Sequence, residues 1–130
     1  MQSLLAVGLG GFVGAICRYS LTGWMQLRFP AFRPAGTLLV NVLGCLLIGL
    51  LMGLVTHKQT MLSEPLRLFL ITGILGSLTT FSTFGYETVE LLRENELHLA
   101  AWNMAANMVL GFTAVFLAVW FSGWFLKPAG

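Results

Sequence analysis

Charged residues cut this chain into four long apolar blocks, and that spacing limits its fold more than any motif does. The first block runs from about Ser3 to Trp24, with Arg18 as its one charge. The second lies between Arg33 and Lys58, the third between Arg67 and Glu87, and the fourth between about His98 and Lys127. Each can supply the roughly 20 residues a helix needs to cross hydrocarbon. A chain that is 57% hydrophobic and 9% charged stands far from soluble domains, in which about one residue in four is charged. The expectation is an all-α integral membrane protein, one four-helix domain over residues 1–130 with spans near 3–25, 36–56, 66–94 and 98–125. The first block has neither a basic start nor a small-residue cleavage site, so it reads as a span rather than a signal peptide.

The connections fit that count. Arg28 to Gly36 contains Pro30 and Pro34, which favour a non-helical link. His57 to Glu64 is a polar turn, and Pro65 suits the first turn of the third helix. Glu87, Glu90, Arg93 and Glu94 alternate with Val89, Leu91 and Leu92, so the third helix is expected to leave the bilayer and turn near Asn95. Trp24, Trp102, Trp120 and Trp124 fall near span ends and suit interfacial anchoring. A net charge of +2 is too small to argue for a nucleic-acid partner. Cys17 and Cys45 lie in apolar blocks and read as small buried hydrophobes.

Lysine and arginine placement sets membrane orientation, and here it is nearly balanced. Both termini and the second loop share a side carrying Lys58, Arg67 and Lys127, while the other carries Arg28, Arg33 and Arg93, with Arg18 close to it. Such a chain has little reason to insert in one direction only. The expectation is dual topology, with copies inserting both ways and pairing antiparallel, a two-chain version of the inverted repeats of transporters.

The polar groups inside the spans narrow the function. Gly10 with Gly14, and Gly49 with Gly53, have the spacing that lets helices approach closely. Asn41, Asn103, Asn107, Thr79, Thr80, Ser82 and Thr83 all fall within apolar blocks, and must be buried in protein or line water. The stretch Gly73–Phe84 concentrates glycines and hydroxyls and suggests either close packing or a broken helix lining a polar path. No Asp, Glu or Lys lies at the centre of a span, where coupled transporters place their ionisable groups. No metal-ligand cluster, nucleophile elbow or phosphate loop is present, which argues against an enzyme. Amides, hydroxyls and the positive rims of Phe81 and Phe84 favour an anion, whereas carbonyls exposed by a broken helix favour a cation. A proton-coupled exporter and a non-transporting scaffold subunit remain as alternatives.

The set Gly10-Gly11-Phe12-Val13-Gly14-Ala15-Ile16-Cys17-Arg18-Tyr19, then Gly36-Thr37-Leu38-Leu39-Val40-Asn41-Val42-Leu43-Gly44, then Gly73 to Phe84, resembles the Fluc family of bacterial fluoride channels over essentially the whole chain. The resemblance implies an antiparallel dual-topology homodimer with two anion pores in the bacterial inner membrane, passing cytoplasmic fluoride outward without coupling. It implies a third helix broken at mid-membrane, with a structural sodium ion (Na+) held by the main-chain carbonyls of Gly76 and Thr79. By the same resemblance Asn41, Phe81, Ser82, Thr83, Phe84 and Asn107 line the anion pathway. Arg18 takes a vestibule place, with a salt bridge or a packing role equally open. Ser77 stands where the family usually has a second glycine, and Asn103 where an aromatic residue is expected.

Overall fold

Large apolar side chains cover much of the outside of this molecule, while polar ones are buried inside beside an apolar core at Val40, Leu75 and Leu78. Leu4, Leu9, Phe12, Phe112, Phe116 and the four tryptophans are exposed, whereas Thr37, Thr80, Thr88, Asn103, Asn107 and Ser122 are buried. That inversion suits a solvent of lipid, in which the polar groups must find partners inside the protein.

The computed structural model describes residues 1–57 and 62–125. Lys58 and Lys127, two of the charges counted for orientation, lie outside the described residues, as does most of the polar turn read between His57 and Glu64. The elements are α1 (Gln2–Arg28), α2 (Ala35–His57), α3 (Glu64–Arg67), a π-helical segment (Leu68–Leu75), α4 (Gly76–Leu78), α5 (Phe81–Arg93) and α6 (Leu97–Phe125). They make four helical runs long and apolar enough to cross a membrane, the third being Glu64–Arg93. The chain is therefore an all-helical, multi-pass membrane protein.

Glycine decides how these runs pack. α1 lies along the π-helical segment and α2 along α6, the two most extensive contacts in the fold. A Cβ at Gly10 would stand 2.9 Å from the Gly73 Cα, and one at Gly14 would run into the Ile74 main chain. On the other pair, a Cβ at Gly49 would stand 2.7 Å from the Ala118 Cβ, and one at Gly53 would collide with Ser122. The same spacing on two helices thus serves two separate contacts within one chain, each a close backbone approach.

The links are built locally. Phe32 N–H donates to the Phe29 carbonyl at 3.1 Å and Ala35 N–H to the Phe32 carbonyl at 3.0 Å, carrying the chain around Pro30 and Pro34 into α2. At the far end of α5, Asn95 takes a positive φ of 63°, a conformation asparagine tolerates better than most side chains. Glu96 N–H reaches the Leu91 carbonyl at 2.8 Å and Asn95 N–H the Leu92 carbonyl at 3.2 Å, the bond pair of a Schellman cap. Arg33 pairs with Glu94 across the same end of the bundle, and the neighbouring carboxylate raises the guanidinium pKa above its ordinary value.

The packing makes a prediction. A Gly14→Leu protein should lose about 1–3 kcal/mol of stability from overpacking, while Gly8→Ala, where nothing lies within 4 Å of an added Cβ, should lose none. Denaturant unfolding in detergent checks this, and equal stability of the two variants would contradict the assigned contact.

Candidate functional site

The third run stops being helical where it faces α2. α4 ends at Leu78, Thr79 (φ −80°, ψ 155°) and Thr80 (φ −151°, ψ 115°) are extended, and α5 begins at Phe81. Extended backbone within a membrane leaves N–H and C=O groups without the partners a helix supplies. Asn41 on α2 supplies them at Thr80. Its Oδ1 accepts the Thr80 N–H at 2.8 Å, and its Nδ2 donates to the Thr80 carbonyl at 3.2 Å. The Thr80 hydroxyl then caps α5 by accepting the Thr83 N–H at 3.2 Å.

These two bonds divert the donors that two carbonyls would meet in a continuous helix. The Gly76 carbonyl would accept from Thr80 N–H, and the Thr79 carbonyl from Thr83 N–H, by the i to i+4 rule. Both donors are engaged by side chains instead. A hard cation such as sodium takes oxygen ligands, and carbonyl oxygens relieved of their helical donors are of that kind. Gly76 is exposed and a Cβ there would meet only the Ile71 carbonyl, at 3.8 Å, so its surroundings within the chain are open.

One main-chain N–H also sets the direction of a longer network. Because Thr80 N–H can only donate, the Asn41 atom facing it must be the amide oxygen, and Nδ2 points the other way. Nδ2 donates to Asn107 Oδ1 at 3.0 Å. Asn107 Nδ2 in turn reaches the Asn103 carbonyl and Oδ1, each at 3.0 Å. Asn103 Nδ2 donates to the Thr88 hydroxyl at 2.9 Å, and that hydroxyl donates to the Phe84 carbonyl at 2.7 Å. Both amide hydrogens of Asn41 are therefore engaged within the chain. The Thr80 hydroxyl donates to Thr83 Oγ1 at 3.0 Å, which leaves the Thr83 hydroxyl hydrogen directed away from the network.

Beside the network lies a cleft of about 480 Å³, lined from α2 by Asn41 and Cys45, from the break by Gly76, Thr79 and Thr80, from α5 by Phe81 and Phe84, and from α6 by Asn107 and Met108. The Phe81 and Phe84 rings are in tilted contact, centroids 5.6 Å apart at 53°. Phe84 is buried at 7% exposure and Phe81 is 77% exposed, so the pair leads from the interior to the outer face. Of the residues given a pathway or ion-holding place from the sequence, the cleft gathers Asn41, Gly76, Thr79, Phe81, Phe84 and Asn107. Ser82 and Thr83 lie outside its lining, on the exposed face of α5, tied to it through the Thr80 hydroxyl. Arg18 is half-buried on α1 and is not part of the lining.

Sequence reasoning gave no site role to Thr80, Thr88 or Asn103. Asn103 shows no exposed surface, and its one legible signal is the four-residue spacing to Asn107. Glu87 accepts the Thr37 hydroxyl at 2.8 Å on Oε1, while Oε2 is buried with no hydrogen-bond partner among the described residues. No group of three or more His, Cys, Asp or Glu side chains that could hold a metal occurs among the described residues.

Fold and site together define a small multi-pass membrane protein with a largely apolar cleft at a helix break, to which Asn41 and Asn107 bring amides. Residues 5–119 match the family model of CrcB-like proteins, described as Camphor Resistance (CrcB). The chain is 46% identical to the fluoride-specific ion channel FluC of Chloroflexus aurantiacus strain J-10-fl, over 96% of this chain and 98% of that one. It is 44% identical to the fluoride-specific ion channel FluC 1 of Methanosarcina acetivorans, over 90% of this chain and 88% of that one, and 43% identical to the channel of the same kind from Sulfurovum sp., over 89% and 90%. The chain belongs to the CrcB/Fluc family, a family of ion channels and not of enzymes.

The clamp on Thr80 is directly testable. Asn41→Leu orphans the Thr80 N–H and C=O, each at a cost of about 1–3 kcal/mol. Unfolding in detergent should show that loss, and an Asn41→Leu protein as stable as its parent would remove the clamp.

Proposed function

We propose that this chain is a passive, fluoride-selective channel that lets cytoplasmic fluoride leave across a bacterial inner membrane. It works as an antiparallel, dual-topology homodimer with two pores. The observation that carries the reading is the cleft itself: a space of about 480 Å³ at a helix break, lined in part by the Asn41 and Asn107 amides and by a phenylalanine pair, in a chain whose relatives are named fluoride-specific channels.

A small anion must exchange water for donors at close range. Asn41, Phe81, Ser82, Thr83, Phe84 and Asn107 form the anion pathway in this reading. Asn41 and Asn107 hold its wall, because the Asn41 hydrogens are already engaged. The Thr83 hydroxyl offers a donor, and the phenylalanine rims offer a weaker positive edge. Uncoupled passage accords with the placement of the acidic groups: the chain's Asp and Glu total 5, namely Glu64, Glu87, Glu90, Glu94 and Glu96, none of them in the cleft lining.

The second copy is argued from what the third run turns outward. Thr72, Gly76, Ser82, Thr83 and Tyr86 are exposed on it, a strip whose hydroxyls lipid satisfies less well than protein does. An oppositely inserted copy, which the balanced loop charges allow, covers that strip and closes the open side of the cleft. The Gly76 and Thr79 carbonyls then meet their counterparts near the two-fold axis and together hold a structural sodium ion. Arg18 is assigned to the vestibule.

Purified protein in liposomes should release fluoride rapidly with no proton gradient, with chloride retained in the control. Phe81→Thr and Phe84→Thr should keep the dimer and lower fluoride release at least roughly tenfold, the scale of one lost favourable contact of about 1.4 kcal/mol. Release that needs a proton gradient would point to a coupled exporter. No release from the parent protein would leave the scaffold reading, and unchanged release in both variants would overturn the pathway.

A further inference from the structure

We infer that Asn103, although sealed away from the cleft, is a positioning residue for the pathway: it closes a ring of hydrogen bonds that braces both ends of the segment from Thr80 to Phe84. The ring is directional. It begins at the Thr80 main-chain N–H, an obligatory donor, and passes through Asn41, Asn107, Asn103 and the Thr88 hydroxyl. It ends at the Phe84 main-chain carbonyl, an obligatory acceptor. With a donor fixed at one end and an acceptor at the other, all three amides between them have one permitted orientation.

The two ends are the residue before Phe81 and the residue Phe84 itself, so the ring grips the aromatic pair from front and back. It does so through α2 and α6, helices that pack most extensively against each other. Asn103 is the member that passes the constraint along α6. Its Oδ1 and main-chain carbonyl are both acceptors, which forces Asn107 to present its hydrogens to Asn103 and its oxygen to Asn41. Removing the Asn103 amide leaves only the main-chain carbonyl to accept from Asn107 Nδ2, so one of the two bonds by which Asn103 holds the Asn107 orientation is lost. A rotated Asn107 would present hydrogens to the Asn41 Nδ2, and two donors facing each other weaken the Asn41 hold on Thr80. Asn103 acts through other residues and touches no ion.

The inference rests on the channel reading only for its consequence in conduction, so two readouts are taken on the same dimeric protein. The first is hydrogen exchange at the Thr80 amide, which needs no transport. Asn103→Leu and Thr88→Val should each speed that exchange roughly tenfold, as expected when about one hydrogen bond's worth of protection is lost. Thr88→Ser, which keeps the hydroxyl, should restore protection. The second is fluoride release from liposomes, which should fall in the Leu and Val variants and recover with Ser. If Asn103→Leu does not fold, the Thr88 pair decides. Thr80 exchange within about twofold of the parent in the Val variant would overturn the ring. Faster exchange with undiminished fluoride release would overturn its positioning role. A parent that releases no fluoride sinks the channel reading, while the exchange data still decide the ring.

Discussion

The Thr80 main-chain N–H has no helical partner and lies in a part of the molecule made for lipid. A group in that position needs an acceptor from within the protein, and Asn41 is the one it has. Much of the local structure follows from that bond. It fixes which end of the Asn41 amide faces the break, and so which way Asn107 and Asn103 must turn. It takes the donor away from the Gly76 carbonyl, and the cap at Thr83 does the same for the Thr79 carbonyl. A single backbone hydrogen thereby organises an amide network on one side of the break and a group of available oxygens on the other.

The rest of the fold holds this arrangement in place from outside. α1 is drawn against the π-helical segment by Gly10, Gly14 and Gly73, and α2 against α6 by Gly49 and Gly53. A π-helical turn is wider than an α-helical one and recurs near functional positions; here it brings the third run to the break. Between the two helix pairs the cleft stays open. Phe81 is as exposed as Phe112 and Phe116, which lipid tolerates; the exposed hydroxyls of Ser82 and Thr83 beside it are the physical argument for a second copy.

The four spans were legible because charge and hydropathy alternate in long blocks, and the turn at Asn95 because asparagine suits a positive φ. Close approach was legible from the glycine spacing, but its partners were not. Nothing in the order of residues says that Gly10 meets Gly73 while Gly49 meets Ala118, since each contact joins distant parts of the chain. The buried asparagines were visible as polar groups needing partners. Their direction was hidden, because it depends on a backbone N–H in a different span. Ser82 and Thr83 read as neighbours of the phenylalanines, and they are, but on the outer face of α5 and not on the cleft wall. Thr88 carried no signal of its own, one threonine among charged neighbours at a helix end.

Completion of the cleft by an oppositely inserted second copy is the central claim, and chain orientation in the native membrane tests it most directly. A label on a tag at the C-terminus, applied first to intact cells and then to opened ones, should find comparable fractions of the chain on each side. Labelling confined to one side would contradict the account.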